Sequence, residues 1–472
     1  MLSKLVNIKK TYCIEGIPVP AFLLLFFFIL NIIACLLTIK LIYYTPLIVI
    51  GAFILFYSLS NILLGLSIII LFHSIIIIQT PEISLSEIIF SVYFLFLFLS
   101  WFYKRKMIQR ERVVEEKADY FLLLFLILVF LSFIPALING VNMFYWFREL
   151  IPFLSFILFF LVITEVKNEK HILYIILSIF AVSASFAINN ILTYLKLLAD
   201  VRYFWEILSS RQVVGEINFT SSLILGLCLL ISPIPKKYKL IIIPFVLIMG
   251  LSLALTFSRG YWIAFILATF ILFIISNKRE KISLFLYGVI FAVILFLFVS
   301  LYFGGLSGFV GISFLKRFPS INDIFTDISF LNRISEMKGL LKSIKYYFVS
   351  GAGLGARFDY FDMIFYKNFN TWYSHNAFLY LLFKLGLPSL ISFLCFYFIV
   401  IKYGFSLIKT STNVISNNIA KGTVALLISM FFLSVSSPQF FQKDSVLIIT
   451  LLSGLVRNFH KKYCKVKLGQ KD

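Results

Sequence analysis

The stretch ISLFLYGVIFAVILFLFVSLYF, residues 282–303, contains no charged side chain. A helix rises about 1.5 Å per residue, so a run of this length crosses the roughly 30 Å hydrocarbon core of a bilayer. Inside lipid every backbone amide needs a partner from the protein, and an unbroken apolar run meets that need as a helix. Ala21–Leu37 and Tyr120–Ile138 read the same way.

Working outward, the 472 residues are 61% hydrophobic and 13% charged, far more apolar surface than a water-soluble fold of this size buries. The bilayer is therefore the expected solvent. A net charge of +21 would suggest nucleic acid in a soluble protein. Here the lysines and arginines gather in short connectors between apolar runs, which is the positive-inside pattern and excludes a nucleic-acid footprint. The first apolar run follows Lys4, Lys9 and Lys10, exceeds a signal-peptide core in length and has no small-residue cleavage site, so it is expected to be retained. Five cysteines, at 13, 35, 228, 395 and 464, lie in tails and apolar runs and form no disulfide or metal pattern.

The expected architecture is an all-α polytopic bundle of about 12–14 transmembrane helices with one large helical outer loop. Spans are expected near 19–39, 41–59, 61–79, 87–103, 119–138, 149–165, 171–196, 219–235, 240–257, 261–276, 282–304, 378–401, 420–436 and 444–457. With the N-terminus in the cytoplasm, the basic connectors Lys104–Lys117, Lys167–Lys170, Lys236–Lys239, Lys278–Lys281 and Lys402–Lys409 and the tail from Arg457 all fall inside. Two segments outside are longer than a bundle needs: Gly305–Ser374 and Ala199–Asn218. The first is rich enough in Phe, Tyr, Leu and Ile to pack as helices on the membrane surface, which marks it as functional.

The spans carry almost no carboxylates, which weighs against proton- or sodium-coupled transport. The outer face instead collects Arg148, Arg202, Arg211, Arg259, Arg333 and Arg357, against the usual bias. Arg259 stands in a very short turn between two spans, where it either snorkels to the interface or grips an anion. A guanidinium presents forked donors that suit a diphosphate. Of the four histidines only His375 belongs to the outer face, at the junction of the long loop with the next span; it is the candidate general base, with helix capping as its structural alternative. His73 reads as a satisfied buried histidine. Gly351-Ala352-Gly353-Leu354-Gly355 follows no predicted strand and reads as a tight turn, not a nucleotide loop. Asp323 with Asp327, and Asp359 with Asp362, offer a weak cation-ligand spacing that is common on solvated helices.

Together these features resemble the O-antigen ligase and O-antigen polymerase family of membrane glycosyltransferases. The resemblance rests on Leu255-Thr256-Phe257-Ser258-Arg259-Gly260-Tyr261-Trp262, similar to the family's Ser-Arg-Gly turn between two spans. It rests also on Asn332-Arg333, on Gly351–Gly355, on His375-Asn376 with Leu379 and Leu385-Gly386-Leu387, and on Arg211, Gly215 and Asn218 before the eighth span. These motifs keep the family's order over about residues 205–400. The chain departs from the pattern at Lys384, where relatives often carry an acid, and at Tyr380, where a Gln is common; the charge reversal bears on acceptor recognition.

The resemblance implies a fold related to the C-type glycosyltransferases, a polyprenyl-diphosphate-linked glycan donor, and inverting transfer without metal or cofactor. It implies that Arg211 and Arg259 hold the diphosphate, that Arg333 assists, that His375 activates the acceptor hydroxyl, and that Asn376 contributes to substrate binding. The acceptor would be a lipid core, a glycan or a protein, and the enzyme would lie in the bacterial inner membrane with its site facing the periplasm. Residues 1–204 then form N-terminal spans, 205–401 a ligase-like core including the loop 305–374, and 402–472 the C-terminal spans and basic tail. Ligase-like transfer ranks first and polymerisation second. A flippase or exporter of lipid-linked oligosaccharide is the rival from another class, but it would be expected to show paired halves and short outer loops. A non-catalytic scaffold predicts no penalty for removing the arginines.

Overall fold

The computed structural model describes residues 84–199, 214–303 and 327–468, together with 13–14, 17–18, 51, 54, 56–59 and 61–76. The expected span at 19–39, much of that at 41–59, Arg202, Arg211, Asp323 and the first part of the long loop lie outside the described residues.

Helices dominate. In chain order they are α1 (Ile62–Ile76), α2 (Leu85–Tyr103), α3 (Lys117–Leu131), α4 (Phe133–Ile138), α5 (Met143–Leu154), α6 (Leu158–Glu165), α7 (Glu169–Ala199), α8 (Glu216–Ile231) and α9 (Lys236–Leu255). There follow α10 (Arg259–Ile275), α11 (Lys278–Phe303), α12 (Ile328–Tyr347), α13 (Ala377–Thr410), α14 (Val414–Leu433) and α15 (Lys443–Leu468). Among the described residues seven helices are long and apolar enough to cross a membrane, and Ile62–Ser74, Glu216–Ile231 and Arg259–Ile275 are shorter apolar helices. The protein is thus an all-α polytopic membrane bundle. Two compact units divide it: one contains residues up to 68 and 85–111, the other 69–84 and 112–472. Ser58 and Tyr93 share a hydrogen bond inside the first. Everything below concerns the second.

Within this unit α13 packs against α3, α14 and α15, and α10 packs against α14. Phe393 on α13 is the hub of an aromatic cluster, with ring centres 5.1 Å from Phe125, 5.7 Å from Phe156 and 4.8 Å from Phe440. Each such edge or tilted pair contributes about 0.5–1.5 kcal/mol beyond burial, so the cluster fixes how these elements meet. On α10, Tyr261, Ala264, Ala268 and Leu272 are buried while Ile263, Ile266, Phe270 and Phe273 are exposed. A helix apolar on both faces turns one to protein and the other to lipid. His73 is buried and bonds Ser155 at 2.8 Å, as expected of a core histidine.

The long loop is built differently from the expectation of surface helices alone. Besides α12 it holds an antiparallel hairpin, β3 (Phe358–Asp362) with β4 (Lys367–Thr371); β1 (Cys13–Ile14) and β2 (Ile17–Pro18) form a separate minimal pair. Asp362 stabilises the turn by accepting from the amides of Ile364 and Phe365 at 2.8 Å each. α12 lies against β3, and Leu340, Ile344, Ala352, Phe358 and Phe383 form a small core that joins loop to bundle.

The Gly-rich stretch at 351–355 is the tight turn expected of it. Ala352 N donates to Phe383 O at 2.7 Å and Gly353 N to Lys384 O at 2.9 Å, so this loop bonds to the carbonyls that α13 frees at its kink. The kink is at Gly386, whose φ of 78° belongs to the left-handed region. A Cβ there would come within 2.0 Å of Val349 O, so only glycine permits the approach.

The same junction explains Lys384. Its Nζ donates to both Glu149 oxygens, at 2.7 and 2.8 Å, and to Ala356 O, while Glu149 also accepts from Gly355 N at 2.6 Å. Lys384 is wholly buried and Glu149 nearly so. The charge reversal relative to the family pattern is thereby answered by an acid on α5, and Lys384 is a structural residue rather than an acceptor-reading one. Lys384→Met should lower stability by about 3–5 kcal/mol because it strands a buried carboxylate. Thermal denaturation in detergent should show that loss, with Lys384→Met/Glu149→Gln recovering most of it; an unaffected single variant would mean the pair is dispensable.

Candidate functional site

The turn between α9 and α10 places Arg259. Thr256 Oγ1 donates to Leu253 O at 2.7 Å and accepts from Ser258 N at 3.2 Å, while Trp262 Nε1 donates to Leu253 O at 3.0 Å. These bonds satisfy polar groups at a helix end that lipid cannot. Phe257, buried between Tyr194 and Trp262, takes a left-handed φ of 49°, and the chain reverses at once into α10. Arg259 is the first residue of α10.

From that position Arg259 Nη2 donates to Asp327 Oδ2 at 2.8 Å, with both side chains partly open to solvent. Asp327 is also the N-cap of α12, accepting from Ser329 N at 2.8 Å. Burial opposes its ionisation, but the Arg259 bond and the Phe330 and Ser329 amides together outweigh it and hold the carboxyl below its ordinary range. One guanidinium edge therefore anchors the start of α12, and among the described residues Asp327 is the partner of Arg259.

α12 then carries Arg333 and Glu336, three residues apart and so on one helical face. Glu336 is buried and grips His375 twice: Oε1 accepts from the His375 amide at 2.7 Å and Oε2 from Nδ1 at 2.6 Å. Because a carboxylate only accepts, Nδ1 carries the proton and Nε2 of the neutral ring is the acceptor. His375 itself remains accessible, with a side-chain exposure of 39%. Asp327 and Glu336 are nine residues apart, so Arg259 and His375 meet α12 roughly 14 Å apart along its axis, with Arg333 between.

Tyr373 completes the approach. Its ring stands edge-on to His375, centres 5.1 Å apart, and 6.1 Å from Phe441. Burial pushes the Tyr373 hydroxyl up, Glu336 and Glu216 add to that, and Arg333 opposes it. Tyr261, two residues beyond Arg259, accepts from Gln439 Nε2 at 2.9 Å, tying α10 to the turn before α15. Segments 256–262, 327–336, 373–376 and 435–442 thus converge at one end of the bundle.

Of the residues expected from sequence, Arg259 and His375 are each bonded to a residue of α12, Arg333 lies on that helix, and Arg211 lies outside the described residues. Asn376 is at the site's edge but its side chain is committed to the fold: Oδ1 caps α13 through Leu379 N at 2.9 Å and Nδ2 donates to Val435 O at 3.0 Å. Both ends of its amide are thus engaged within the protein. The remaining aspartates are engaged likewise, Asp359 by Asn370 Nδ2 and Asp362 by Asn332 Nδ2 and Tyr360 Oη. Glu336 escaped the sequence reading, although it is the sole acid of α12 and follows Arg333 at helical spacing. Tyr373 gave no signal in a loop already rich in aromatics.

A membrane bundle thus carries a structured loop whose helix α12 bears Arg333, bonds Arg259 through Asp327 and holds His375 through Glu336. Residues 244–394, from α9 into α13, match the family model described as O-antigen ligase. No curated protein matches the chain. The protein is a multi-pass membrane protein that is similar over this stretch to O-antigen ligases. Asn376→Ala should cost about 0.5–2 kcal/mol through the lost cap. Melting of the purified protein measures it, and an unchanged midpoint would show that α13 starts without that side chain.

Proposed function

We propose that the chain transfers a glycan from a polyprenyl-diphosphate carrier to an acceptor hydroxyl, on the face of the membrane where the loop 327–376 lies. The observation that supports this reading is that one helix, α12, bears Arg333, bonds Arg259 through Asp327 and holds His375 Nδ1 through Glu336. On the positive-inside pattern that face is the periplasmic one.

In this reading His375 Nε2 takes the proton of the acceptor hydroxyl as its oxygen bonds to the anomeric carbon of the donor sugar. The anomeric carbon's bond to the diphosphate oxygen breaks, and the electron pair leaves with the polyprenyl diphosphate. Attack opposite the leaving group inverts the anomeric centre. Arg259, with Arg333 and Arg211, meets the charge growing on the diphosphate; forked donors in a site of low water content stabilise that charge most. Glu336 keeps Nδ1 protonated and the ring oriented, and stabilises the imidazolium that forms.

The reaction is ligation when the acceptor is a lipid core and polymerisation when it is a second lipid-linked repeat. We favour ligation, in keeping with the matched domain. Vesicles supplied with lipid-linked repeats, with and without a lipid core acceptor, separate the two by product.

Arg259→Ala should abolish transfer while leaving the protein folded, and His375→Ala should lower kcat about 10²–10⁴-fold, the usual contribution of a general base, with donor binding largely kept. Full transfer by either variant in vesicles would remove the enzyme reading or the base, respectively. Glu336→Gln should lower kcat with little change in KM, since it acts through His375; an equal loss from KM alone would assign Glu336 to substrate binding instead.

A further inference from the structure

The hairpin that follows α12 ends in a turn whose residues do not suit water. Its loop positions are Met363-Ile364-Phe365-Tyr366, where a solvated turn would take Gly, Asn, Asp or Pro. Tyr366 even occupies the left-handed region, at a φ of 50°, which glycine or asparagine fills with less strain. All four side chains are exposed, Phe365 at 66% and Tyr366 at 76%, and Phe361 on β3 is exposed beside them. Among the described residues the ring contacts of Phe361, Phe365 and Tyr366 stay within the hairpin: Phe361 meets Tyr366 at 6.5 Å and Phe365 meets Phe369 at 5.8 Å between centres. So long a run of exposed apolar side chains is unfavourable in water unless something covers it.

Polarity changes along the hairpin. Near the base its outer face carries Asp359 and Asn370, joined at 2.7 Å; nearer the tip the same face carries Phe361 opposite Asn368 and leads into the apolar turn. The backbone of that turn is equipped to leave water. Met363 N donates to Asn332 Oδ1, and Ile364 N and Phe365 N donate to Asp362 Oδ1, each at 2.8 Å. The Phe361 carbonyl accepts from Ser335 Oγ at 2.6 Å. Asp362, the one acid of residues 361–367, is buried, and its other oxygen accepts from Asn332 Nδ2 and Tyr360 Oη. An apolar medium admits backbone whose polar groups the protein itself satisfies, and three consecutive amides here meet that condition.

Position identifies the covering medium. Arg259, Ile263, Ile266 and Phe270 follow one another by four, three and four residues, so Arg259 heads the exposed, lipid-facing side of α10. α12 starts on that side, through Asp327 on Arg259. Asn332, which holds the tip, is five residues further along α12, roughly 7.5 Å from Asp327. The headgroup layer beyond the hydrocarbon core is about 5–7 Å deep on each side, so the tip lies at its level. Lys367 Nζ stands 4.7 Å from the centre of the Phe369 ring, which lays an apolar stem against the hairpin and leaves an ammonium at the height of lipid phosphates. We propose that the turn 363–366, with Phe361, seats in the interfacial layer of the leaflet bordering the Arg259 end of α10, as an aromatic anchor separate from the spans. Aromatic rings favour that layer, where an apolar body and a polar edge are both accommodated.

The test uses the full-length protein in nanodiscs of dioleoyl-phosphatidylcholine, with p-benzoyl-phenylalanine replacing Phe365, Tyr366 or, as the control at the polar base, Asn370. After irradiation, mass spectrometry of the intact protein counts lipid adducts, and digestion locates any adduct to protein. The expected result is a phospholipid adduct from positions 365 and 366 and none from position 370. Ile364→Glu, added to the probe at 365, should cut the lipid adduct about tenfold, because a carboxylate resists the interface. It should keep the parent melting temperature in detergent, since the Ile364 side chain is exposed there. Equal lipid adducts from 365 and 370 would show that the tip has no particular place in the interface. Adducts to peptides of this chain or of a second copy would show that protein covers it, and neither kind of adduct would leave it in water. Each of these results overturns the proposal, as does an undiminished lipid adduct with Ile364→Glu.

Discussion

A lysine and a glutamate that meet in an apolar interior set the terms for the rest of this molecule. Separately, Lys384 and Glu149 would each face the cost of a buried charge, several kcal/mol even after relaxation. Joined by two short bonds and completed by Ala356 O and Gly355 N, they satisfy each other and pin the Gly-rich turn to both α5 and α13. That turn follows α12 and leads into the hairpin. Movement at the pair would therefore be felt at Glu336, and through it at His375.

The site inherits its order from this anchorage. α12 is polar and would not be held by lipid; what fixes it is Asp327 on Arg259 at one end, the small core around Phe358 and Phe383 at the other, and Glu336 on His375 between. Each contact serves two purposes. Asp327 caps a helix and steadies a guanidinium, and Glu336 joins loop to span while selecting the imidazole tautomer. Side chains carried on a loop need such doubling, because a loop lacks the continuous packing that holds a helix in register.

Charge is distributed unevenly along the bundle. At one end arginines stand partly open among tyrosines and glutamines, where a substrate diphosphate would find donors. At the other, cations are either paired internally, as Lys421 is with Glu280 and Arg457 with Asp119, or exposed on connectors. The internal pairs satisfy charges that helix ends bring into the interior, and the exposed ones match the sign of an anionic leaflet.

The membrane fold was legible from the sequence because lipid imposes one rule, satisfaction of every backbone group within its own segment, and apolar length alone reveals a segment that complies. The boundaries of α7, α9 and α10 fall close to the expected spans for that reason. The placement of Arg259 at a tight interhelical turn and of His375 just before a span was legible as well. Tertiary structure alone decided what these residues touch. Glu336 on His375, Asp327 on Arg259 and Glu149 on Lys384 join positions 39, 68 and 235 residues apart, and no local periodicity encodes such pairs. The partners of Asn376 are of the same kind: the chain reversal at Ser434–Ser436 brings Val435 O within reach of its amide, which also caps α13.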